Sequence, residues 1–297
     1  MDGHWLILGS LSEKKSTGVA AATFASGDAL FVGGLLANSA ASAVANKIDY
    51  ETGVVTTWPS LSVGRMIATC VRDGADRILV VGGKTSPSSS SGSTYVDCYD
   101  SSGVRTSLPA LSTVRYNAVC GLTGGGDVIV TGGSVSGLVA NRLLVDSYNP
   151  SGVKTVRAPM QHPAESCCTI ADGSVVFACG VEKVNNEYIG HAEKINSDFS
   201  SSVIGTIGMI RSNPVVADSA GGALFLGGFT NTGSIQYSAT VERIGDPSKR
   251  AINIPAFHVY KFEEHTSKQP AQPMDSIAVI NAPNIGYFQM EKGTITI

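Results

Sequence analysis

The amino-acid sequence predicts an all-β protein made of repeated four-stranded antiparallel units. An apolar run that ends in a pair of small residues recurs along the 297-residue chain. Turns rich in Gly and Asp separate the apolar runs. No window shows the sustained helical periodicity of apolar residues that an amphipathic helix requires. Together these observations predict short strands joined by tight turns.

The run that ends in two small residues sets the period of the repeat. Five copies are visible, and the fourth is the weakest. Their first small residues are separated by intervals of 49, 50, 47 and 48 residues. The copies occupy residues 29–34, 78–83, 128–133, 175–180 and 223–228. Such regular spacing indicates one structural unit repeated along the chain.

Tyrosines and turns keep the same period. Tyr50, Tyr99 and Tyr148 recur, and each is followed by a turn and then by an element containing proline. Upstream of each double-glycine run, another apolar stretch ends in a Gly/Asp turn, as at residues 26–28. Gly and Asp suit the positive φ angles of tight hairpins. Each period is therefore expected to hold about four short strands.

Four antiparallel strands in about 50 residues are typical of one blade of a β-propeller. A single blade cannot shield both of its faces from water, so blades are stable when they stack around an axis. The chain length predicts a single six-bladed β-propeller domain spanning residues 1–297. The predicted blades are residues 13–62, 63–112, 113–161, 162–208, 209–256, and 257–297 together with 4–12.

The two ends of the chain are predicted to pair and to close the ring. Residues 7–12 align with residues 57–62, the passage from an outer strand to the next blade. Residues 294–297 compete with this N-terminal run for the outer strand of the last blade, and both assignments stay open. Pairing of the N- and C-terminal strands would leave only short protected edges.

The repeated units resemble the kelch repeat over about residues 10–256. The resemblance rests on Trp58, Val81-Gly82-Gly83, Tyr99-Asp100 and residues 109–115. It implies a strand ending in Gly-Gly, a later strand carrying Tyr, an outer strand carrying Trp, and an Arg that opens the next blade. The fourth repeat departs from this pattern with Cys179-Gly180. The resemblance implies a kelch-like β-propeller.

Composition and charge exclude several functional classes. Lys plus Arg total 21 and Asp plus Glu total 24, so the net charge is −3, without the basic clusters of a dedicated nucleic-acid binder. Charged residues make up only 15% of the chain, which lowers the desolvation cost of burying a face against a partner. No signal peptide and no apolar run of roughly 18 residues is evident. We expect a cytoplasmic or virion-associated protein without membrane insertion.

Cationic side chains recur at the start of successive innermost strands. They lie 16 to 18 residues before the small-residue pairs, at Lys15, Arg65, Arg115, His162 and Arg211. The kelch resemblance implies a place near one mouth of the central channel, where such a ring could bind a carboxylate, a phosphate or an acidic loop. In the structural alternative, each arginine donates hydrogen bonds to carbonyls of the adjoining blade and locks the stack.

Neither the cysteines nor the recurring aspartates form a convincing chemical site. Cys70, Cys120 and Cys167 each lie 12 residues before a small-residue pair. Equivalent strands of neighbouring blades are too far apart for one metal ion to reach these sulfurs, so we expect small buried thiols and no metal site. The recurring aspartates fall in turns between the first two strands, where they shape the turn. No cofactor is expected.

A charged segment interrupts the last predicted blade. Residues 258–275 concentrate charged and imidazole side chains in a chain that is otherwise poor in charge. The segment is a candidate contact loop, and a mobile surface loop is the alternative. Its candidate contact residues are His258, Lys261, Glu263, Glu264, His265 and Lys268.

The sequence favours a non-catalytic protein-binding or structural β-propeller, a subunit of a larger homo- or hetero-oligomeric assembly such as a phage or viral particle. A glycan-binding propeller is the first alternative, and it would need exposed aromatic side chains around one channel mouth. The residues to inspect are Tyr116, Tyr188, Phe229 and Tyr237. The second alternative is an enzyme resembling the kelch-type sugar mutarotases, which would need an acid–base constellation in the channel.

Overall fold

In its described residues, the computed structural model consists of antiparallel sheets and one helical turn. It describes residues 10–90, 92–134, 140–182, 187–206, 215–219, 222–231, 235–237, 241–245, 259–263 and 289–293. The chain divides into two compact units, Met1–Arg250 and Ala251–Ile297. Within the described ranges, no helix has the length and apolar character needed to cross a membrane.

The first repeat contains six strands. They are β1 (Lys15–Thr17), β2 (Ala20–Thr23), β3 (Ala29–Val32), β4 (Leu35–Leu36), β5 (Ala45–Ile48) and β6 (Val55–Trp58). Four of them form an antiparallel sheet in the order β2-β3-β5-β6, which we name sheet I. The short strands β1 and β4 form a separate pair.

Three further four-stranded antiparallel sheets follow along the chain. Sheet II contains β7 (Thr69–Arg72), β8 (Ile78–Val81), β9 (Val96–Tyr99) and β10 (Arg105–Ser107). Sheet III contains β11 (Val119–Leu122), β12 (Val128–Thr131), β13 (Val145–Tyr148) and β14 (Lys154–Arg157), with the helical turn α1 (Ala140–Leu143) before β13. Sheet IV contains β15 (Ser166–Thr169), β16 (Val175–Glu182), β17 (Glu187–Ile195) and β18 (Ser201–Thr206). In each sheet, the strands lie in chain order.

The fifth repeat and the second unit contain the remaining strands. They are β19 (Val215–Ser219), β20 (Gly222–Leu226), β21 (Phe229–Asn231), β22 (Ile235–Tyr237), β23 (Val241–Gly245), β24 (Val259–Glu263) and β25 (Gln289–Gly293). Sheet V has the order β19-β20-β23, and the β21-β22 hairpin lies in the connection between β20 and β23. In the second unit, β24 pairs with β25 in antiparallel register.

The central strands of sheets II and III are covered on both faces. Every residue of β8, β9, β12 and β13 is buried. Side chains alternate between the two faces of a strand, so complete burial requires a neighbour on each side of the sheet. This explains why residues 78–81 read as a continuous apolar run instead of an alternating one.

Sheets I to V pack against one another in chain order. An apolar cluster lies between each pair of consecutive sheets. Between sheets I and II it includes Leu30, Leu61 and Val80, and between sheets IV and V it includes Ala192 and Phe225. The first strands of consecutive sheets also contact each other, from β2 and β7 through to β15 and β19. Each sheet thus gains from its neighbours the shielding that it cannot supply alone.

The glycine pairs let the backbone of the next repeat approach closely. Gly33 and Gly82 have φ angles of 65° and 61°. A Cβ atom there would lie 2.2 Å from the carbonyl oxygen of Arg65 or 2.5 Å from that of Arg115, respectively. The glycine that follows donates its N–H to the same carbonyl, at 3.0 and 2.9 Å. Glycine is required both by the left-handed backbone and by the space available.

The structure confirms the predicted all-β class and the four-stranded antiparallel sheets. Sheets I to V lie within residues 13–62, 63–112, 113–161, 162–208 and 209–256, respectively. The sixth blade and the closure of a ring stay predictions, because residues 1–9, 251–258, 264–288 and 294–297 lie outside the described residues. The helical turn α1 was not expected from the sequence.

The sequence alignment of Tyr50 with Tyr99 and Tyr148 is wrong by two residues. Tyr99 and Tyr148 end β9 and β13 and are fully buried. Tyr50 follows the end of β5 and is 72% exposed. In the strand pairing, Ile48 takes the place that Tyr99 takes in sheet II. In sheet I, the aliphatic Ile48 therefore stands at the position that tyrosine occupies in sheets II and III.

Candidate functional site

The two ends of the stacked sheets carry connections of different length. At the turn end, five-residue turns join the first and second strands of sheets I to IV, at residues 24–28, 73–77, 123–127 and 170–174. At the glycine-pair end, 12 to 14 residues join the second and third strands of sheets I to III, at residues 33–44, 82–95 and 132–144. Varied connections on a rigid scaffold are where proteins commonly place recognition residues. The glycine-pair end is therefore the candidate face for individual recognition, and the repeated turns form a second candidate surface at the turn end.

Each connection at the glycine-pair end has its own local structure. In the first repeat it contains β4, which pairs with β1, and in the third it contains α1. In sheet IV the second and third strands themselves extend, to Glu182 and from Glu187. In sheet V the connection holds the β21-β22 hairpin. The sheets are thus repeated, whereas the connections at this end are individual.

Arg65 joins sheet I to sheet II. Its backbone N–H donates to the carbonyl of Ser42 at 2.9 Å, and its carbonyl accepts the N–H of Gly34 at 3.0 Å. Its guanidinium donates to the carbonyl of Val80 at 3.0 Å and lies 2.7 Å from the Asp97 carboxylate. The backbone of Arg65 therefore holds the preceding sheet, and its side chain holds its own sheet.

Asp97 completes this buried network. The side chains of Asp97 and Arg65 have no exposed surface. Ser62 donates to the Asp97 carboxylate from its backbone N–H at 3.1 Å and its hydroxyl at 2.9 Å, and Arg105 lies 2.6 Å away. Burial alone would raise the pKa of the Asp97 carboxyl, but the Arg65 charge and the hydrogen bonds from Arg65 and Ser62 outweigh it and hold this pKa below its usual value.

Arg115 repeats the arrangement between sheets II and III. Its backbone N–H donates to the carbonyl of Ser93 at 3.0 Å. Its guanidinium donates to the carbonyls of Gly132 and Leu144, both at 2.6 Å. Burial lowers the pKa of Arg115 to about 10, although the nearby Asp146 carboxylate opposes the shift. Arg115, like Arg65, bridges two sheets from a buried position.

Lys15 makes an equivalent contact in the first repeat. Its ammonium donates to the carbonyl of Val44 at 3.1 Å, just before β5, as Arg115 donates to the carbonyl just before β13. Burial lowers the pKa of Lys15, and the Glu13 charge opposes this. The described members Lys15, Arg65 and Arg115 all donate to backbone carbonyls of the chain. This is the geometry of the structural alternative, in which the cations lock the stacked sheets and do not form a ligand-binding ring.

His162 does not belong to the arginine series. Gly133 donates its N–H to the carbonyl of Ala164 at 3.3 Å, and a Cβ atom on Gly132 would lie 2.1 Å from that carbonyl oxygen. Ala164 therefore holds the position of Arg115 in the next repeat. The sequence count was off by two because β15 begins two residues after Ala164, whereas β11 begins four residues after Arg115.

His162 instead forms a cluster with His191 and Glu193. The two imidazole rings stack with their centroids 4.1 Å apart and their planes inclined by 18°. Glu193 is 1% exposed, and its Oε2 accepts the backbone N–H groups of Gln161 at 2.9 Å and His162 at 3.3 Å. Its Oε1 has no hydrogen-bond partner among the described residues. We name these residues the His162–His191–Glu193 cluster.

The remaining predicted site residues are outside what the structure describes in full. Lys261 and Glu263 fall in β24, so this part of the candidate contact loop is a strand, and nothing is described of their side chains. The others lie outside the described residues, and their roles stay predictions. They are Arg211, His258, Glu264, His265 and Lys268.

A buried polar residue that the sequence did not reveal recurs on the third strands. It lies two positions before the end of the strand and accepts a hydrogen bond from the passage that leaves the preceding sheet, or from Ser12 in the first repeat. A charged residue at the second place of a buried strand, as in residues 96–99 and 145–148, was the available signal. The residues are Asn46, Asp97, Asp146 and Glu193.

The thiols and turn aspartates occupy the elements expected of them. Cys70 and Cys120 lie in the first strands β7 and β11, and burial raises the pKa of both thiols to about 12. Among the described residues, no group of three or more His, Cys, Asp or Glu side chains could hold a metal ion. The recurring aspartates lie in or next to the five-residue turns, at Asp28, Asp76, Asp127 and Asp172.

Tyr116 is the one candidate glycan-stacking residue whose side chain the structure describes. It is half-buried, and the Lys84 ammonium lies 4.6 Å from its ring centroid. The backbones of Tyr188, Phe229 and Tyr237 belong to β17, β21 and β22, and their side chains are outside the described part. A lysine thus already lies over the Tyr116 ring, where a sugar would stack.

Comparison with known proteins bears on the fold. No family model and no curated protein matches the sequence. Among solved structures, 339 chains match. One of them, titled "Structure of YjhT", is 13% identical, with a TM-score of 0.56 over 76% of this chain and 83% of that chain. The fold is β-propeller-like. At this identity, the similarity carries the fold and nothing of the activity.

Proposed function

We propose that the chain is a non-catalytic, kelch-like β-propeller that binds other proteins as a structural subunit of a larger assembly, such as a phage or viral particle. The proposal rests on the observation that the recurring charged residues bond to the protein's own strands. Arg65, Asp97 and Arg115 are completely buried and are bonded to neighbouring strands. Side chains enclosed in this way hold sheets together and are not positioned to meet a substrate.

Residues of the kelch pattern support this assignment. Gly82 and Gly83 follow directly after β8, and Arg115 opens the next repeat. Trp58 ends the edge strand β6, and its ring centroid lies 6.3 Å from that of Tyr99 in the next sheet. The tryptophan therefore contributes to packing between sheets, which is the role of a repeat residue.

Exposed valines at equivalent positions offer a surface for assembly. Val54, Val104 and Val153 each follow the glycine of the turn between the third and fourth strands and are 54%, 55% and 57% exposed. These turns lie at the turn end of sheets I to III. Apolar side chains on a surface with few charges favour association with another protein.

Light scattering after size-exclusion chromatography tests the proposal. We expect the full chain to form an oligomer whose mass does not change with concentration, and the triple variant V54S/V104S/V153S to dissociate. The variant V203S is a control, because Val203 is 38% exposed on β18 and does not belong to the set Val54, Val104 and Val153.

Two outcomes would favour other functions. A monomer that binds sugars saturably on a glycan array would indicate a glycan-binding propeller. A purified chain that interconverts sugar anomers, with loss of turnover in a variant of a polar residue, would indicate an enzyme. Either result would replace the assembly proposal.

A further inference from the structure

The buried acid of the third strand has cationic partners in sheets II and III. Asp97 lies 2.7 Å from Arg65 and 2.6 Å from Arg105. Asp146 lies 3.4 Å from Lys154. Arg105 and Lys154 occupy equivalent places, since they pair with the last residues of β9 and β13. A buried carboxylate needs such partners because its desolvation is costly.

Sheet IV keeps the acid but has small residues at both cation positions. Ala164 stands where sheets II and III have arginine. Ser201 pairs with Ile195, the last residue of β17, and so stands where sheets II and III have Arg105 and Lys154. Among the described ion pairs, none involves Glu193. Sheet IV therefore has the buried acid without either of the cations that accompany it in sheet II.

His191 adds a second buried polar atom beside this acid. His162 joins the two parts of the cluster, because its backbone N–H binds Glu193 Oε2 and its ring stacks on His191. His191 Nδ1 and Glu193 Oε1 are both buried without a hydrogen-bond partner among the described residues. Unsatisfied buried polar atoms are rare in native proteins, and a ligand is one reason for them to persist.

We propose that the His162–His191–Glu193 cluster binds an organic cation carrying N–H donors, a guanidinium or a primary ammonium group. Such a cation would donate to Glu193 Oε1 and supply the positive charge that Arg65 supplies within sheet II. The cation belongs either to a free small molecule or to a side chain of a partner protein. The inference goes beyond the assembly role and does not depend on it.

Isothermal titration calorimetry with the full chain tests this binding. The probes are Nα-acetyl-L-argininamide, its uncharged analogue Nα-acetyl-L-citrullinamide, and an N-acetylated peptide with a single arginine. We expect saturable binding of the cations alone, weakened about tenfold or more by the isosteric substitution Glu193→Gln. Tighter binding of argininamide assigns the site to a free cation, and tighter binding of the peptide assigns it to a protein side chain.

A gain-of-charge variant provides an independent test. Ala164→Arg restores the arginine of sheets II and III, so it should raise the melting temperature and abolish cation binding. In the Glu193→Gln background, the same arginine should give no increase, because its carboxylate partner is absent. The proposal is overturned if no cationic probe binds saturably, if Glu193→Gln binds as well as the wild type, or if Ala164→Arg leaves binding intact.

Discussion

The guanidinium of Arg65 and the carboxylate of Asp97 lie 2.7 Å apart, and neither side chain is exposed to solvent. The pair lies on the boundary between two sheets, since the backbone of Arg65 is bonded to sheet I and Asp97 belongs to β9 of sheet II. Loss of either partner would leave the other charge buried and uncompensated. The pair therefore couples the stability of neighbouring repeats.

Removal of this arginine should destabilise the protein strongly. We expect Arg65→Met to lower the free energy of unfolding by about 3–5 kcal/mol, measured by urea denaturation. Arg72→Met is the control, because its pair with Asp76 is 3.7 Å long and half exposed, and it should cost less than about 1 kcal/mol. Equal effects of the two substitutions would show that the buried pair does not hold the sheets.

The same pair predicts a dependence on pH. The pKa of Asp97 is held below its usual value, so its contribution to stability is complete above the unfolded pKa of about 3.9 and is lost as the pH falls through the folded pKa. The stability difference between the wild type and Asp97→Asn should therefore be constant from about pH 5 to 7 and shrink below about pH 4. Urea titrations across this range measure it. A difference that grows on acidification would contradict the assigned shift.

Gly82 should not tolerate even an alanine. Its φ of 61° and the carbonyl oxygen of Arg115, 2.5 Å from an added Cβ, predict a loss of more than about 2 kcal/mol for Gly82→Ala, read from thermal or urea unfolding. Gly125→Ala is the control. The nearest atom to a Cβ there is Thr123 Oγ1 at 3.8 Å, so the change should stay within about 0.5 kcal/mol.

The tyrosine hydroxyls give a direct test of the corrected alignment. Tyr99 donates to the carbonyl of Pro59 at 2.7 Å, and Tyr99→Phe should cost about 1 kcal/mol in the free energy of unfolding. Tyr148→Phe should behave in the same way, because Tyr148 donates to the carbonyl of Pro109 at 2.7 Å. Tyr50→Phe should be neutral, since Tyr50 is 72% exposed. A comparable loss at Tyr50 would restore the original alignment.

The half-buried thiols of Cys70 and Cys120 should react slowly in the folded protein. Burial raises the pKa of Cys70 and Cys120 to about 12, so little thiolate is present at pH 8. With a chromogenic disulfide reagent, we expect these two cysteines to react at least tenfold more slowly in the native state than in urea. Mass spectrometry of the labelled peptides separates them from the other four of the six cysteines. Rapid native labelling of Cys120 would contradict its raised pKa.

The fold could be predicted because the same packing contact between neighbouring sheets recurs at a regular spacing in the sequence. Gly82 appears in the sequence at a fixed interval because the carbonyl of Arg115 must pass it closely. His162 was misassigned because the passage before β15 is shorter, and position counting does not detect a local deletion. Glu193 was missed because the same third-strand position carries Asn, Asp or Glu, so no single residue type marks it.

The contacts of the candidate site could not be predicted from the sequence, because they arise from how distant segments meet in the fold. Nothing in the linear order of His162 and His191 indicates that their rings stack at 4.1 Å. That contact arises because the passage into sheet IV meets its third strand, where Glu193 accepts the N–H of His162. In the sequence, His162 takes the place that the structure gives to Ala164, so the loss of the arginine in this repeat became visible only in the structure.

The two ends of the sheets differ in how tightly the fold constrains their connections. Constant five-residue turns set the spacing of the strands at one end, while the longer connections at the other begin and end at anchored glycines and third strands. Gly83 and Ser93 are both bonded to the backbone of Arg115, so the residues between these anchors, 85–90, can be exchanged or lengthened without changing how sheet II meets sheet III. A lineage carrying this scaffold can acquire new partners by loop replacement, with its folding unit left untouched.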